Sequence, residues 1–289
     1  MNNTVTSSKI AISIVTYKSS HIIKGLLETV PKNIPIYICD NSQDSGIESA
    51  IKDYDVNLYI SPKNLGFGKG HNYNLQKIFE NQTDAEFIAI INPDCALNSD
   101  TLQSLINAAG KYPDAAVFAP KLYDGKGSEM LTYKPNIFKR NYNGLCSKKM
   151  EGDICAEFIS GAFYIIRINY LRQHQLFDPN IFLFHEDDDF CISVYKNGSY
   201  AMVVNDSKCM HLVGKSSKPS WKLEVFKNIA STNSRIYIEY KYKGFLSANI
   251  LKIRIFCATL AKVLAYACTL NFKKLAKYAG KFCGIFYKI

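Results

Sequence analysis

The 289-residue sequence lacks several features that would assign it to common protein classes. Its nine cysteines are odd in number, scattered and never spaced C-x-x-C, so neither a disulfide framework nor a structural zinc site is predicted. Residues 1–9 are polar and lack the hydrophobic region of a secretion signal. These absences favour a protein of the reducing cytosol.

Acidic residues are also missing from the end of the chain, where the last one is Glu239. Of the 35 basic residues, 25 lie before residue 241 and balance the 25 acidic ones, so the whole net charge of +10 belongs to residues 241–289. Leu, Ile and Phe alternate with these basic residues. The pattern is typical of amphipathic helices on an anionic membrane surface. We therefore predict a main domain over residues 1–240 and a basic helical tail over 241–289.

The tail contains no uninterrupted apolar run long enough to cross a bilayer. Residues 253–270 approach the required length, but Arg254 and Lys262 interrupt them and disfavour a transmembrane helix. Two alternatives to membrane attachment stay open, namely helices packed on the main domain and a nucleic-acid interface. We expect peripheral attachment to the cytoplasmic face of the inner membrane and no nucleic-acid partner.

The main domain alternates short β-rich runs with amphipathic segments, which indicates an α/β fold with a mostly parallel sheet covered by helices. A long polar stretch over residues 123–153 has no clear period and predicts a loop or hairpin. The predicted strands are 10–15, 36–39, 57–60, 87–91, 157–167 and 200–204. The predicted helices are 21–29, 47–54, 69–79, 100–111, 187–197 and 221–240.

Polar residues follow the first four predicted strands. They are Thr16 with Tyr17, Asp40 with Asn41, Ser61 to Asn64, and Asn92 to Asp94. Ligands of such sheets bind beyond the carboxyl ends of the strands, so a ligand site is predicted there.

The Asn92-Pro93-Asp94 turn can end a central strand, because proline has no N–H for the ladder. The carboxylate of Asp94 would suit Mg²⁺ or Mn²⁺ bridging a diphosphate. Asp94 as a cap of the next helix is the alternative.

Residues 182–190 read F-L-F-H-E-D-D-D-F and hold a second carboxylate cluster. Acids favour helix N-termini, but four in a row repel one another and raise at least one pKa. An enzyme that deprotonates an acceptor can use a cation site together with a carboxylate base from a distant part of the sequence, so this pattern predicts a catalyst.

Residues 64–74 carry three glycines before a predicted helix, where backbone amides can approach a ligand. Their spacing matches neither G-x-x-x-x-G-K-[ST] nor G-x-G-x-x-G.

In order and spacing, these motifs resemble the family 2 glycosyltransferases, especially the bacterial rhamnosyltransferase-like group. The resemblance covers roughly residues 9–240. The matching segments are Ser13 to Tyr17, Asp40-Asn41-Ser42, Asn64 to Asn74, Asn92-Pro93-Asp94, Ser160-Gly161-Ala162, Glu186 to Asp189, and His211 with Gly214 and Ser216.

The resemblance implies a GT-A fold, a nucleotide-diphosphate sugar donor, a divalent cation (Mg²⁺ or Mn²⁺) and inversion at the anomeric carbon. Asp187 would be the catalytic base, with Glu186 and Asp189 orienting the acceptor or starting the following helix. Asp94 and His211 would bind the metal. The implied donor-binding residues are Thr16, Tyr17, Asp40, Asn64, Gly66, Gly68, Asn92, Lys215 and Ser216.

Asn92 departs from the family pattern, since many relatives have an aspartate there, and this removes one carboxylate from the predicted metal site. The implied reaction moves a sugar, rhamnose by resemblance, to a lipid-linked oligosaccharide in bacterial O-antigen or capsule synthesis. UDP-hexose transfer is an alternative. A nucleotidyltransferase would want a glycine-rich basic loop after the first strand, and residues 16–20 lack it. A non-catalytic carbohydrate- or membrane-binding relative would have lost Asp94 and Asp187, and both are present.

Overall fold

The computed structural model describes residues 9–130, 132–139, 151–212 and 220–287. Strands and helices alternate through the first half. The strands are β1 (Ile10–Thr16), β2 (Ile36–Asp40), β3 (Val56–Ile60), β4 (Phe87–Ile91), β5 (Cys95–Leu97), β6 (Ala115–Tyr123), β7 (Tyr133–Lys134), β8 (Ile154–Ala156), β9 (Phe158–Ile159), β10 (Phe163–Arg167) and β11 (Tyr200–His211). The helices are α1 (Ile23–Leu27), α2 (Ile47–Ile51), α3 (Phe67–Glu80), α4 (Thr101–Lys111), α5 (Ile168–Leu171), α6 (Glu186–Lys196), α7 (Trp221–Cys268) and α8 (Phe272–Cys283).

The main sheet has the order β3-β2-β1-β4-β10-β6-β11-β5, with β8 also paired to β11. The half built from β3, β2, β1 and β4 is parallel, as predicted. In the other half β10 is antiparallel to both neighbours and β11 pairs parallel only with β6. The sheet is therefore mixed as a whole, and the mostly parallel arrangement is limited to its first half.

Alternate residues of the strands fill two apolar cores, one on each face of the sheet. Ile10, Ile12 and Ile14 of β1 point to the core covered by α1, α2 and α4. Ala11 points to the opposite core, which α3, α5 and α6 cover. The five residues of β2 and of β4 are all buried, as expected for strands with helices on both faces.

Several strands differ from the sequence prediction, which also lacked the short strands β5 and β8. The pattern did not predict β6, which contains Pro120. Pro120 lies beyond the end of the pairing with β10 at Phe118 and next to an irregularity in the pairing with β11, and prolines in sheets are confined to such positions. The predicted strand over 157–167 is two strands, β9 and β10, separated at Gly161. Strand β11 continues to His211 across an irregularity between Val204 and Lys208.

The segment predicted as a loop or hairpin over 123–153 includes β7, which pairs with β9. Residues 131 and 140–150 of that segment lie outside the described residues.

Helix α7 extends well beyond the predicted end at residue 240, and Gly244 interrupts it with a φ of 82°. Gly280 of α8 and Gly284, which caps its C-terminus, approach Val225 and Ile229 in the first half of α7. In the second half, Tyr266 stacks on Tyr278 of α8 with ring centroids 5.4 Å apart, and Phe256 lies 5.3 Å from Phe282. The first half of α7 therefore runs parallel to α8, and the second half runs antiparallel to it. The chain reverses direction at Gly244, and α8 packs against both halves.

The predicted boundary at residue 240 falls inside α7, four residues before this reversal. Lys241 and Tyr242, just beyond it, bind Asp189 of the main domain. Among the described residues, no helix is both long and apolar enough to span a membrane. Large apolar side chains nevertheless remain exposed in this region, including Phe245, Leu246, Ile253, Leu264, Leu270, Phe272 and Phe286.

Candidate active site

A cavity of about 340 Å³ lies at the carboxyl ends of β1 and β4, where the sequence predicted a ligand site. Strand pairing brings distant residues together there. Because β10 begins opposite the end of β4, Ala162 accepts a backbone hydrogen bond from Asn92 at 2.9 Å. The predicted site residues that line the cavity are Thr16, Tyr17, Asn64, Gly66, Asn92, Asp94, Glu186, Asp187 and His211.

Three predicted site residues lie outside that lining. Asp40 is fully buried and organises the turn after β2, where its carboxylate accepts from Thr16 Oγ1 at 2.8 Å and from Ser42 Oγ at 3.0 Å. Gly68 packs against the side chain of Phe177. Asp189 pairs with Lys241 at 2.8 Å. Lys215 and Ser216 fall outside the described residues.

Gly66 shapes one wall of the cavity at the start of α3. Its φ of 83° lies in the region that favours glycine, and a Cβ there would overlap the carbonyl oxygen of Phe182. Asn64 Oδ1 accepts from the Gly66 N–H at 2.9 Å, and Asn41 Nδ2 donates to the Gly66 carbonyl at 2.8 Å. The glycine segment therefore forms a fixed turn whose backbone faces the cavity.

Asp94 and His211 meet because β5 is antiparallel to β11, with Cys95 opposite His211. The Asp94 Oδ1 and His211 Nε2 atoms are 3.3 Å apart, and Asp94 is only 4% exposed. Cys95 lies in the same cluster. A hydrogen bond with Cys209 and burial hold the pKa of the Cys95 thiol well above its ordinary value. Asp94 and His211 offer a carboxylate and an imidazole that can bind a divalent cation.

Asp187 lies in the first turn of α6 and approaches the loop between β9 and β10. Its Oδ2 accepts from the Gly161 N–H at 3.1 Å, and its Oδ1 lies 3.5 Å from the Tyr164 hydroxyl. A Cβ on Gly161 would overlap this carboxylate, so the glycine is what lets Asp187 come so close. Burial, then the neighbouring charge of Asp188, raises the pKa of Asp187 from 3.8 to about 7.

The other acids of the cluster occupy different environments. Glu186 lines the cavity, and burial holds its pKa well above the ordinary value, which favours the protonated form. Asp188 turns inward and contacts His185 Nδ1 at 2.9 Å and Lys134 at 3.6 Å. Asp189 bonds to Lys241 and Tyr242. All four acids lie in the first turn of α6, where the helix dipole favours them.

Sequence reasoning missed the wall that α7 contributes. Leu223, Phe226 and Lys227 line the cavity, and Lys227 adds a positive charge there. Their spacing of i, i+3 and i+4 on a predicted helix was the available signal. The loop around Gly161 entered the prediction only as a family match, without its contact to Asp187.

The family model described as "Glycosyl transferase family 2" matches residues 11–174. The chain therefore belongs to glycosyl transferase family 2 and is a glycosyltransferase, and it is similar to proteins named as rhamnosyltransferases. It is 21% identical over 226 residues to the N-acetylglucosaminyl-diphospho-decaprenol L-rhamnosyltransferase of Mycobacterium tuberculosis, covering 68% of this chain and 74% of that protein. It is 23% identical over 201 residues to rhamnosyltransferase WbbL of Escherichia coli K12, covering 63% and 75%.

Solved structures confirm the predicted GT-A fold. The mannosyltransferase PcManGT of Pyrobaculum calidifontis, in complex with GDP-Man and Mn²⁺, superposes with a TM-score of 0.58 at 12% identity, covering 96% of this chain and 87% of that one. TarS 1–349 of S. aureus, in complex with UDP-GlcNAc, gives a TM-score of 0.53 at 16% identity, covering 95% and 91%.

Proposed function

We propose that this protein is an inverting glycosyltransferase that moves a sugar, with rhamnose as the first candidate, from a nucleotide diphosphate to a lipid-linked glycan. The observation that carries the proposal is the placement of Asp187 in the same cavity as Asp94 and His211. An acceptor-side carboxylate and a cation-binding pair sharing one cavity match the needs of sugar transfer from a diphosphate.

Asp187 is the acid best suited to serve as the base. A pKa of about 7 leaves a substantial carboxylate fraction at neutral pH and gives it more basicity than an ordinary aspartate. Glu186 is held protonated, and Asp189 is engaged by Lys241. Asp187 would accept the proton of the acceptor hydroxyl as that oxygen bonds to the anomeric carbon and the nucleoside diphosphate leaves with the electron pair of the broken bond.

The donor would lie between the Asn64 to Gly66 turn and the end of β4, with Thr16 and Tyr17 beside the nucleobase. A divalent cation held by Asp94 and His211 would neutralise charge on the diphosphate. One carboxylate and one imidazole suit Mn²⁺ better than Mg²⁺, which prefers oxygen ligands. Lys227 lines the same cavity and would pair with a phosphate oxygen.

The acceptor and location are proposed from the relatives and from the surface of α7 and α8. The mycobacterial relative is named for a diphospho-decaprenol acceptor, and we propose a lipid-linked acceptor of that kind here, in O-antigen or capsule synthesis. The exposed apolar side chains and lysines of the tail would hold the protein on the cytoplasmic face of the membrane.

The decisive experiment incubates the purified protein and its Asp187→Asn variant with dTDP-rhamnose, UDP-glucose, UDP-galactose and UDP-N-acetylglucosamine in Mn²⁺. Donor hydrolysis and transfer to a lipid-diphosphate-linked N-acetylglucosamine are measured. We expect turnover of dTDP-rhamnose by the unchanged protein and strongly reduced turnover by the variant. Preference for a UDP-hexose would select the alternative donor, and absence of turnover with every donor would count against the function.

A further inference from the structure

A second cavity, of about 580 Å³, lies between the two halves of α7, the end of α8 and residues 179–182, which precede α6. Its volume is within the range of small-molecule sites. Phe182 lines both this cavity and the active-site cavity, so the two cavities are neighbours that share this aromatic residue. The proposed reaction leaves this second space unassigned.

The walls of the second cavity are fixed by hydrogen bonds. Asn233 donates to two backbone carbonyls at the end of α8. Ser234 Oγ donates to the carbonyl of Leu183 at 3.0 Å, and the Tyr237 hydroxyl donates to Asp178 at 2.9 Å. The cavity is therefore a built part of the fold.

Two lysines give this cavity a positive charge. Lys69 reaches it from the first turn of α3, where the helix dipole adds to the positive potential, and Lys252 from the second half of α7. No carboxylate is among the residues that line it in the described part of the chain. Within those same ranges neither lysine forms an ion pair with an acid. The positive charge at this cavity therefore suits an anionic group.

The rim of the same cavity is apolar and exposed. Phe245 is 72% exposed and Phe286 is 68% exposed, and both line the cavity. Leu246 and Ile253, which follow Phe245 in the second half of α7, are also exposed. A ligand with an anionic head beside Lys69 and Lys252 and an apolar chain against Phe245 and Phe286 would satisfy both parts of the site.

We propose that this cavity binds the lipid end of the acceptor. The phosphate or diphosphate head would lie near Lys69 and Lys252, and the chain would leave past Phe245 and Phe286. A sugar attached to that head would pass Phe182 into the active-site cavity, toward Asp187. This inference rests on the proposed function, because it takes the acceptor to be lipid-linked.

The test uses farnesyl diphosphate as a water-soluble lipid diphosphate, with binding to the full-length protein measured by calorimetry. The variant is Lys69→Gln with Lys252→Gln. Its matched control is Lys273→Gln with Lys277→Gln, which removes the same charge from exposed positions outside the cavity. We expect the first pair to weaken binding at least about tenfold, since charge-assisted hydrogen bonds contribute about that much, and the control to retain it.

A third variant tests the contribution of the lipid chain to binding separately from that of the charged head. Ala248 is buried and lines the cavity, so Ala248→Leu should fill part of the cavity without changing its charge. This variant should also bind farnesyl diphosphate more weakly. The proposal is overturned if inorganic pyrophosphate or dihexanoylphosphatidylglycerol binds as tightly as farnesyl diphosphate. It is also overturned if the lysine pair and its control behave alike, or if nucleotide sugar displaces the probe competitively.

Donor binding, measured on the same samples in Mn²⁺, distinguishes a failure of the lipid site from a failure of the proposed transferase function. Nucleotide-sugar binding and turnover without any farnesyl diphosphate binding would reject the lipid site alone. Farnesyl diphosphate binding that needs the two lysines, without any donor binding, would reject the proposed transferase function and leave a lipid-phosphate site.

Discussion

At the scale of single residues, Asp187 is the proposed base, and its titration can be measured. Replacing it by asparagine preserves shape but removes the base, so we expect transfer to fall by at least about 100-fold while donor binding is retained. In the unchanged protein, activity should rise with pH through about 7 as the carboxyl loses its proton. Steady-state kinetics from pH 5 to 9 would show this. Normal turnover by the variant would reject Asp187 as the base.

The same pKa has a consequence for stability. The pKa is raised in the folded state, so between 3.8 and about 7 the folded protein holds a proton that the unfolded chain has lost. Stability should therefore decrease as pH rises through that window. The Asp187→Asn variant lacks this contribution, so its Tm should exceed that of the unchanged protein at pH 8 and match it more closely at pH 4. Thermal unfolding at the two pH values checks the sign, and equal differences at both would contradict it.

Gly161 provides a second test of how Asp187 is held. A Cβ at this position would overlap the carboxylate, so Gly161→Ala should displace the base and reduce kcat by about 100-fold, the effect of a misplacement near 1 Å. Gly25→Ala in α1 is the control, because nothing lies within 4 Å of a Cβ there. Kinetics on both variants measure the effect. Comparable kcat values would show that the Gly161 contact does not position the base.

The pair formed by Asp94 and His211 predicts metal dependence. EDTA should abolish activity, Mn²⁺ should restore it more fully than Mg²⁺, and Asp94→Ala should weaken nucleotide binding only when metal is present. Calorimetric titration of nucleotide with and without Mn²⁺ measures this. Full activity in chelator would rule out the proposed cation site.

At the scale of elements, the sequence predicts helices and strands best where a single hydrophobic period dominates. Strands β1, β2 and β4 have apolar runs bounded by polar turns, so their ends and the polar residues beyond them were predictable. Strand β6 was missed because Pro120 weakens the strand pattern, and its tolerance depends on where the neighbouring strand stops. Tertiary pairing of this kind is absent from the local pattern.

The same limit applies to the site. The meeting of Asp94 with His211 follows from antiparallel pairing between β5 and β11, and only the family resemblance pointed to it beforehand. The separation of roles within the acidic cluster was not predictable either. Adjacent acids look alike in sequence, but Asp187 faces the cavity while Asp189 meets Lys241, which comes from far along the chain.

Packing of α8 on α7 can be tested through its glycines. A Cβ at Gly280 would fall 2.6 Å from the carbonyl oxygen of Val225, whereas a Cβ at Gly110 of α4 meets nothing within 4 Å. Both are helical glycines, so alanine improves helix propensity equally. Gly280→Ala should be less stable than Gly110→Ala by about 2 kcal/mol because of overpacking. Denaturant unfolding measures the difference, and equal stabilities would place α8 away from α7.

At the scale of the whole molecule, charge and apolar surface are concentrated on one part of the chain. Helix α8 packs on both halves of α7, in line with the alternative of packed helices. That packing still leaves Leu246, Ile253 and Leu264 at least 60% exposed beside an excess of lysines. A soluble monomer rarely exposes so many large apolar groups together, which favours a surface that contacts a membrane or a partner.

Membrane attachment can be tested without removing the tail. Changing Leu246, Ile253 and Leu264 to serine should weaken binding to anionic vesicles by roughly thirtyfold or more, since inserting such side chains contributes more than about 2 kcal/mol in total. High salt should weaken the unchanged protein only partly, because apolar insertion is not screened. The matched control is Tyr195→Ser, because Tyr195 is as exposed as Leu246 (74%) but lies in α6, outside the tail, so this change should leave vesicle binding unaltered. Vesicle co-sedimentation with donor binding measured alongside decides the question. If the leucine and isoleucine variant pellets as the unchanged protein does, or if neither pellets, the exposed surface belongs to a protein contact.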